Sequence, residues 1–215
     1  MLQKPKQKIV IAGGTGFVGQ GIIQELPTAS YDVHSLSRHP FKPQPDDQTH
    51  YHVVDLSRPS TWQNIVADAD WVIDAVGILL PNVNQGRTYQ NSTIQPARDL
   101  LAVLIDRPKP NFLYISANTA PFFMRSYLAT KRQVEAECQA TLPGRTYIVY
   151  PGFIFDSARP SSYLPGLILS KLTWFPYVRH LRPISRTHFA KEIKSILAGS
   201  HSTLLRMIDG SGKLI

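Results

Sequence analysis

The sequence predicts a doubly wound α/β domain: a parallel sheet with helices on both faces. Three observations predict it. The apolar run Ile9-Val10-Ile11-Ala12 leads straight into the glycine-rich turn Gly13–Gly19, and that turn opens an amphipathic stretch from Phe17 to Leu26. Strand-like and helix-like stretches then alternate as far as residue 150, the pattern of right-handed βαβ units. A chain of 215 residues that is 43% hydrophobic and only 18% charged can also fill one large core.

The elements follow in order. Lys8–Ala12 is the first strand, and Asp32–Ser37 alternates apolar and polar as the second. Pro40, Pro43 and Pro45 make a loop before a third strand at His50–Val54. Ser60 and Gln63 have capping-box spacing and predict a short helix through Ile65 and Val66. Trp71–Ala75 is the fourth strand. A long helix runs from about Tyr89 to Ile105, broken by Pro108 and Pro110. Asn111–Ser116 is a fifth strand, Ser126–Thr141 a helix and Thr146–Tyr150 a sixth strand. Residues 1–150 read as the dinucleotide-binding core. Residues 151–215 read as a small substrate-side lobe of the same domain, with a helix at about Thr187–Leu197 and a short strand at Leu204–Ile208.

Strand, glycine turn and helix in this order bind a dinucleotide pyrophosphate. The turn must be tight, backbone N–H groups must reach the phosphates, and the helix N-terminus offers uncapped donors. Gly14-x-Gly16-x-x-Gly19 is the plain Rossmann spacing; Gly13-x-x-Gly16-x-x-Gly19 is a variant of it. Thr15, Phe17 and Val18 share the turn and are expected cofactor contacts. The plainer alternative is a βα turn without a ligand. The second strand ends Leu36-Ser37-Arg38-His39, with no acid between Val33 and Pro40 to accept bonds from a ribose 2′-hydroxyl. Arg38, helped by Ser37, suits the 2′-phosphate of NADP, which favours NADP over NAD. Arg38 stacked on the adenine is the other reading.

A second constellation is Tyr127 and Lys131, four apart and so on one helix face, with Ser116 at the end of the preceding strand. A phenol is a weak acid or base near neutrality; an ammonium beside it would lower its pKa, and a serine hydroxyl would orient a carbonyl oxygen. Lys131 paired with Glu135 on an exposed face is the competing reading.

These residues resemble the short-chain dehydrogenase/reductase superfamily over most of the chain. The resemblance is carried by the glycine turn, Asp55-Leu56, Asp74-Ala75-Val76-Gly77, Asn91, Ser116, Tyr127 with Lys131, and Pro151-Gly152. Ala75-Val76-Gly77-Ile78-Leu79 and Tyr150-Pro151-Gly152-Phe153-Ile154-Phe155-Asp156 narrow it to an atypical group. That group includes the nucleotide-binding accessory subunit of respiratory complex I and a coenzyme Q biosynthesis protein. The resemblance implies that Gly13, Gly16 and Gly19 line the pyrophosphate and that Asp55 and Leu56 flank the adenine. Ala75, Val76, Gly77 and Lys131 would border the nicotinamide ribose, and Pro151-Gly152 the carboxamide. Tyr127 would be the acid/base and Ser116 its partner. The stretch after Pro151 is short beside the nucleotide-sugar domain of the extended enzymes, which argues against a sugar-nucleotide epimerase.

Two functions fit. One is an NADP-dependent oxidoreductase acting on a carbonyl or alcohol of an apolar small molecule. The other is a cofactor-bound sensor or assembly factor for a respiratory or quinone-related complex. The single Cys138 reads as a core residue in a reducing compartment, and no secretory signal or membrane span is evident, so a cytoplasmic location is expected. Residues 1–150 hold 14 basic and 12 acidic side chains, net +2, and residues 151–215 hold 9 and 3, net +6. The basic end suits an anionic ligand or surface, or is simply a solvated face. The apolar, aromatic and basic run 164–182 suits peripheral membrane contact or a greasy pocket; a lid and core segment is the plainer reading. No motif supports nucleic acid, and Gly-x-Ser-x-Gly is absent. His50-x-His52 shares a strand face without a third ligand spaced to join it, so no metal is expected.

Overall fold

A computed structural model describes residues 5–156, 180–211 and 213–215. Six parallel strands form one sheet: β1 (Gln7–Ala12), β2 (Tyr31–Ser37), β3 (His50–Val53), β4 (Trp71–Asp74), β5 (Asn111–Ile115) and β6 (Thr146–Val149). Their order is β3-β2-β1-β4-β5-β6, so the chain reverses direction across the sheet between β1 and β4. Ligands of doubly wound sheets bind outside the carboxyl ends of the strands at that reversal.

The central strands of the sheet are buried on both faces. On β1, Val10 and Ala12 enter one core with Trp62, Leu100, Leu104, Phe112 and Val134. Ile9 and Ile11 enter the other with Ile22, Ile73, Leu113, Phe189 and Ile193. A strand covered on both sides reads as a continuous apolar run, as the 9–12 segment does. The first core lies under α2 (Gln63–Val66), α3 (Gln95–Leu104, entered through a wide helical turn at Gln90–Ile94) and α4 (Arg125–Thr141). The second lies under α1 (Phe17–Glu25) and α5 (Arg186–Leu197), which pack together where Gly21 admits the Arg186 side chain. Cys138 is buried in the first core.

Two sequence expectations change. The Ser60/Gln63 capping box does not form: a tight turn at Pro59–Thr61 precedes α2, and Trp62 sits at its cap position with no side-chain cap. Pro59 sets that turn, and burial of Trp62 fixes the helix entry, its indole donating to Leu56 O at 3.2 Å. The strand expected at Leu204–Ile208 is a turn, Thr203–Leu205, capped by Ser202. Beyond it Ile208 bridges Leu214, and the Asn118 side chain takes both the Ile208 N–H (2.6 Å) and its carbonyl (3.0 Å). A side chain thus supplies the bonds a strand neighbour would have made. The lobe adds a small parallel pair, β7 (Ile154–Phe155) with β8 (Ile184–Ser185). The run 164–182 lies outside the described residues except for its last three. No helix among the described residues is long and apolar enough to cross a membrane.

Candidate functional site

The glycine turn follows from close backbone approach. Gly13 has φ +80°, and a Cβ there would sit 2.9 Å from Ala75 O. A Cβ on Gly19 would sit 2.4 Å from Gly13 O and 2.6 Å from Gly14 Cα, so α1 rests directly on the turn. Gly14 faces Ser35 in the same way. Behind the turn, Gln20 donates to Gly14 O at 3.0 Å and to Tyr51 Oη at 2.9 Å. Among the described residues no side chain caps α1, which leaves its first N–H groups directed at the cleft.

Two adjoining cavities lie along the carboxyl edge. The outer, about 420 Å³, is lined by Gly13, Thr15 and Gly16, by Ser37 and Arg38, by Asp55 and Leu56, and by Ala75–Gly77 and the start of α3. The inner, about 160 Å³, is lined by Val18, Ala75–Leu79, Ser116, Tyr127, Lys131, Pro151 and Gly152. Ala75, Val76 and Gly77 form the wall common to both. Of the residues expected to touch cofactor or to act in catalysis, Phe17 and Gly19 do not line these walls. Gly19 packs beneath the turn, and the Phe17 ring lies 5.2 Å from the Arg186 guanidinium.

Arg38 is exposed at the outer rim. The bonds Asp55 accepts from the Ser57 hydroxyl and N–H hold its carboxyl below the usual range, and the Arg58 and Arg38 charges add a little. Ser37 is partly engaged: its Oγ accepts from Thr15 N at 3.4 Å. Gly152 has a structural reason to lack a side chain, since a Cβ there would lie 1.7 Å from Leu181 O.

In the inner cavity Lys131 is buried. Its Nζ donates to Ile115 O at 2.7 Å and lies 4.7 Å above the Tyr114 ring and 6.0 Å from the Tyr127 ring centre. A Cβ on Gly77 would stand 3.6 Å from that Nζ, so the ammonium faces the open side of Gly77. Burial lowers Lys131 to about 8, against the opposing pull of Asp74 and Glu135. The Tyr127 phenol is pushed up to about 12, by burial first and then by Tyr89, with Arg132 opposing. The expected lowering by Lys131 is therefore outweighed: the ammonium is committed to Ile115 O, and desolvation of the phenolate dominates.

The competing Lys131–Glu135 pair is also replaced. Glu135 is buried and takes Arg132 instead, and Ser116 Oγ donates to the same carboxylate oxygen. Arg132 goes on to the carbonyls of Ala117 (2.9 Å) and Asn118 (3.0 Å), and Tyr150 Oη donates to Glu135 Oε2 at 3.4 Å. Sequence reading passed over this network because helical spacing alone does not choose between Arg132 and Lys131 as the partner of Glu135. It also passed over Asp74 as a charge. That carboxylate is fully buried, accepts from Val76 N at 2.9 Å through one oxygen, and finds no partner for the other among the described residues. Burial raises it to about 6.

Strand order, glycine turn and paired cavities define a nicotinamide-dinucleotide-binding protein of the short-chain dehydrogenase/reductase type. More particularly, the chain belongs to the NAD dependent epimerase/dehydratase family, which its residues 9–141 match. It is 25% identical over 205 residues to MIOREX complex component 2 of Saccharomyces cerevisiae, covering 71% of this chain and 74% of that protein. It is 27% identical over 162 residues to an uncharacterized chloroplastic protein of Arabidopsis thaliana; the match covers 71% of this chain and spans about half of that protein, 52%. The fold matches the Bordetella bronchiseptica enzyme WbmF, solved with NAD+, with a TM-score of 0.65 and 13% identity over 98% of this chain and 74% of that one.

Proposed function

We propose that the protein is an atypical short-chain oxidoreductase that prefers NADP and reduces a carbonyl on an apolar small molecule. The observation that carries this reading is the wall Ala75–Gly77, which joins the glycine turn to the Tyr127/Lys131 chamber. The glycine cradle, filled by any Cβ, and the uncapped start of α1 fit a pyrophosphate. In this reading Arg38 and Ser37 hold the 2′-phosphate, Asp55 and Leu56 flank the adenine, and Lys131 binds the nicotinamide ribose. The bound dinucleotide supplies the hydride. Tyr127, whose high pKa keeps it protonated near neutrality, gives its proton to the carbonyl oxygen, which favours the reductive direction. Ser116 orients that oxygen once its hydroxyl leaves Glu135. Val18, Ile78, Leu79 and Ile154 make the remaining walls apolar and so suit an apolar substrate.

The experiment compares binding and turnover. NADPH and NADH are titrated into wild type and Arg38→Ala, and each protein is then offered quinones, aldehydes and ketones. Arg38→Ala should lose about 10- to 100-fold in NADPH affinity and little for NADH, the scale of a charge-assisted phosphate contact. Tyr127→Phe should bind NADPH as wild type does and lose about 100-fold or more in turnover. Equal turnover by Tyr127→Phe would refute the acid assignment. Tight NADPH binding by wild type with no turnover favours a second reading, a cofactor-bound sensor or assembly factor. Two observations support that reading: Ser116 is already bonded to Glu135, and a yeast relative is named as a component of the MIOREX complex.

A further inference from the structure

The β2–β3 edge of the sheet carries a group of side chains that the dinucleotide cleft does not use. The two strands run parallel, with His34 opposite His50 and Leu36 opposite His52. Strand alternation puts Asp32 and His34 on one face of β2 and His50 and His52 on the same face of β3. The His34 ring stacks on both, 4.7 Å from the His50 ring centre and 5.2 Å from that of His52. The Asp32 carboxylate reaches two imidazoles: Oδ2 is 3.2 Å from His34 Nε2, and Oδ1 is 3.4 Å from His50 Nε2. One ligand atom from each of Asp32, His34 and His50 lies within 4.8 Å of the others. On its far side, His34 Nδ1 is 3.0 Å from His52 Nε2.

We propose that Asp32, His34 and His50 form a binding site for a borderline divalent transition metal, zinc(II) foremost, with His52 holding the His34 ring in its ligating orientation. Two imidazole nitrogens and one carboxylate oxygen suit zinc better than magnesium or calcium, which favour all-oxygen sets. Three protein ligands leave a fourth tetrahedral position for water. With neutral rings the site carries one negative charge, which complements a dication. When Nε2 of His34 binds metal, its one proton sits on Nδ1 and is donated to His52 Nε2. This is the outer hydrogen bond that fixes a ligating imidazole. Bonds of about 2 Å require ligand atoms closer together than they are here, so the rings must draw inward by roughly an ångström. His50 is exposed and has room to do so. The bound ion would pin the edge strand β3 to β2.

The test uses the tag-free full chain without dinucleotide and titrates zinc(II) against a chromophoric chelator at about pH 7.5, with melting followed in parallel. One equivalent should bind and raise the melting temperature, since an ion held only by the folded chain stabilises it by mass action. His52→Gln should weaken binding by about 10- to 100-fold, and His50→Gln and Asp32→Asn by more. His50→Gln alters an exposed side chain, so its melting without metal should match wild type while the zinc-induced rise disappears. His188→Gln, on α5, should bind as wild type does. Absence of one-equivalent binding, or binding by His50→Gln and Asp32→Asn as tight as wild type, overturns the site.

Discussion

Replacing Asp74 by Asn tests the electrostatics beneath the proposed nicotinamide chamber. The substitution keeps the shape and retains an oxygen for the Val76 N–H. What it removes is a fully buried charge with one oxygen unpartnered among the described residues. Raising a carboxyl from 3.8 to about 6 makes ionisation unfavourable to folding by about 3 kcal/mol once the pH is well above 6. The sign follows from proton counting: between these values the folded chain holds the proton and the unfolded chain does not. Stability contributed by protonated Asp74 is therefore lost as pH rises through this window. The asparagine variant has no such loss. Relative to wild type it should gain about 2 kcal/mol between roughly pH 4.5 and 7.5. Lys131 returns part of that gain, because Asp74 is the main charge holding its ammonium up; its pKa should fall below about 8 in the variant. Urea unfolding at both pH values measures the first effect, and NMR titration of the lysine ε-carbon measures the second. A variant less stable than wild type at pH 7.5, with the same deficit at pH 4.5, would show that the buried charge is not the cause.

Two further substitutions separate close packing from backbone freedom, and a third tests the lobe. Gly19→Ala drives a Cβ into the Gly13 and Gly14 backbone and should cost about 2 kcal/mol or more with loss of dinucleotide binding; Gly144→Ala, at φ +76° with open space around it, should cost about 1 kcal/mol and leave binding intact. Urea melts and NADPH titration read both. Asn118→Ala leaves the Ile208 N–H without its 2.6 Å acceptor and the His180 carbonyl without its 2.8 Å donor, so about 2 kcal/mol of local stability should go. Hydrogen exchange at the Ile208 amide should accelerate about 10-fold or more while amides in β1 stay protected.

The sheet was legible from residues because each strand solves a local problem. Ile9 to Ala12 must be apolar throughout, since both faces are covered, and the glycine turn must follow because α1 lies on it. Boundaries moved by a residue or so where the last backbone bonds fall to a loop, as at Val53 and Ile115. The failures came where tertiary partners replaced local ones. Ser60 and Gln63 had the right spacing, but burial of Trp62 set the helix entry. Leu204–Ile208 had strand composition, but Asn118, ninety residues from Ile208, took its backbone bonds.

The same distinction runs through the site. The outer cavity is built from turns that directly follow strands, so sequence order names its walls: Gly13 after β1, Arg38 after β2, Ala75 after β4. The inner chamber depends on where charges on one helix go once it is docked. Tyr127 and Lys131 share a face, as four-residue spacing requires, yet helical spacing leaves both Arg132 and Lys131 within reach of Glu135. Docking of α4 against β5 decides it, because Ile115 O claims Lys131 and the Ala117 and Asn118 carbonyls claim Arg132. The histidine edge shows the limit most directly. His50 and His52 stand out in the sequence, but Asp32 and His34 join them only through the pairing register of β2 with β3. Local spacing encodes contacts within one element, whereas a ligand set shared by two strands becomes visible only when the sheet aligns them.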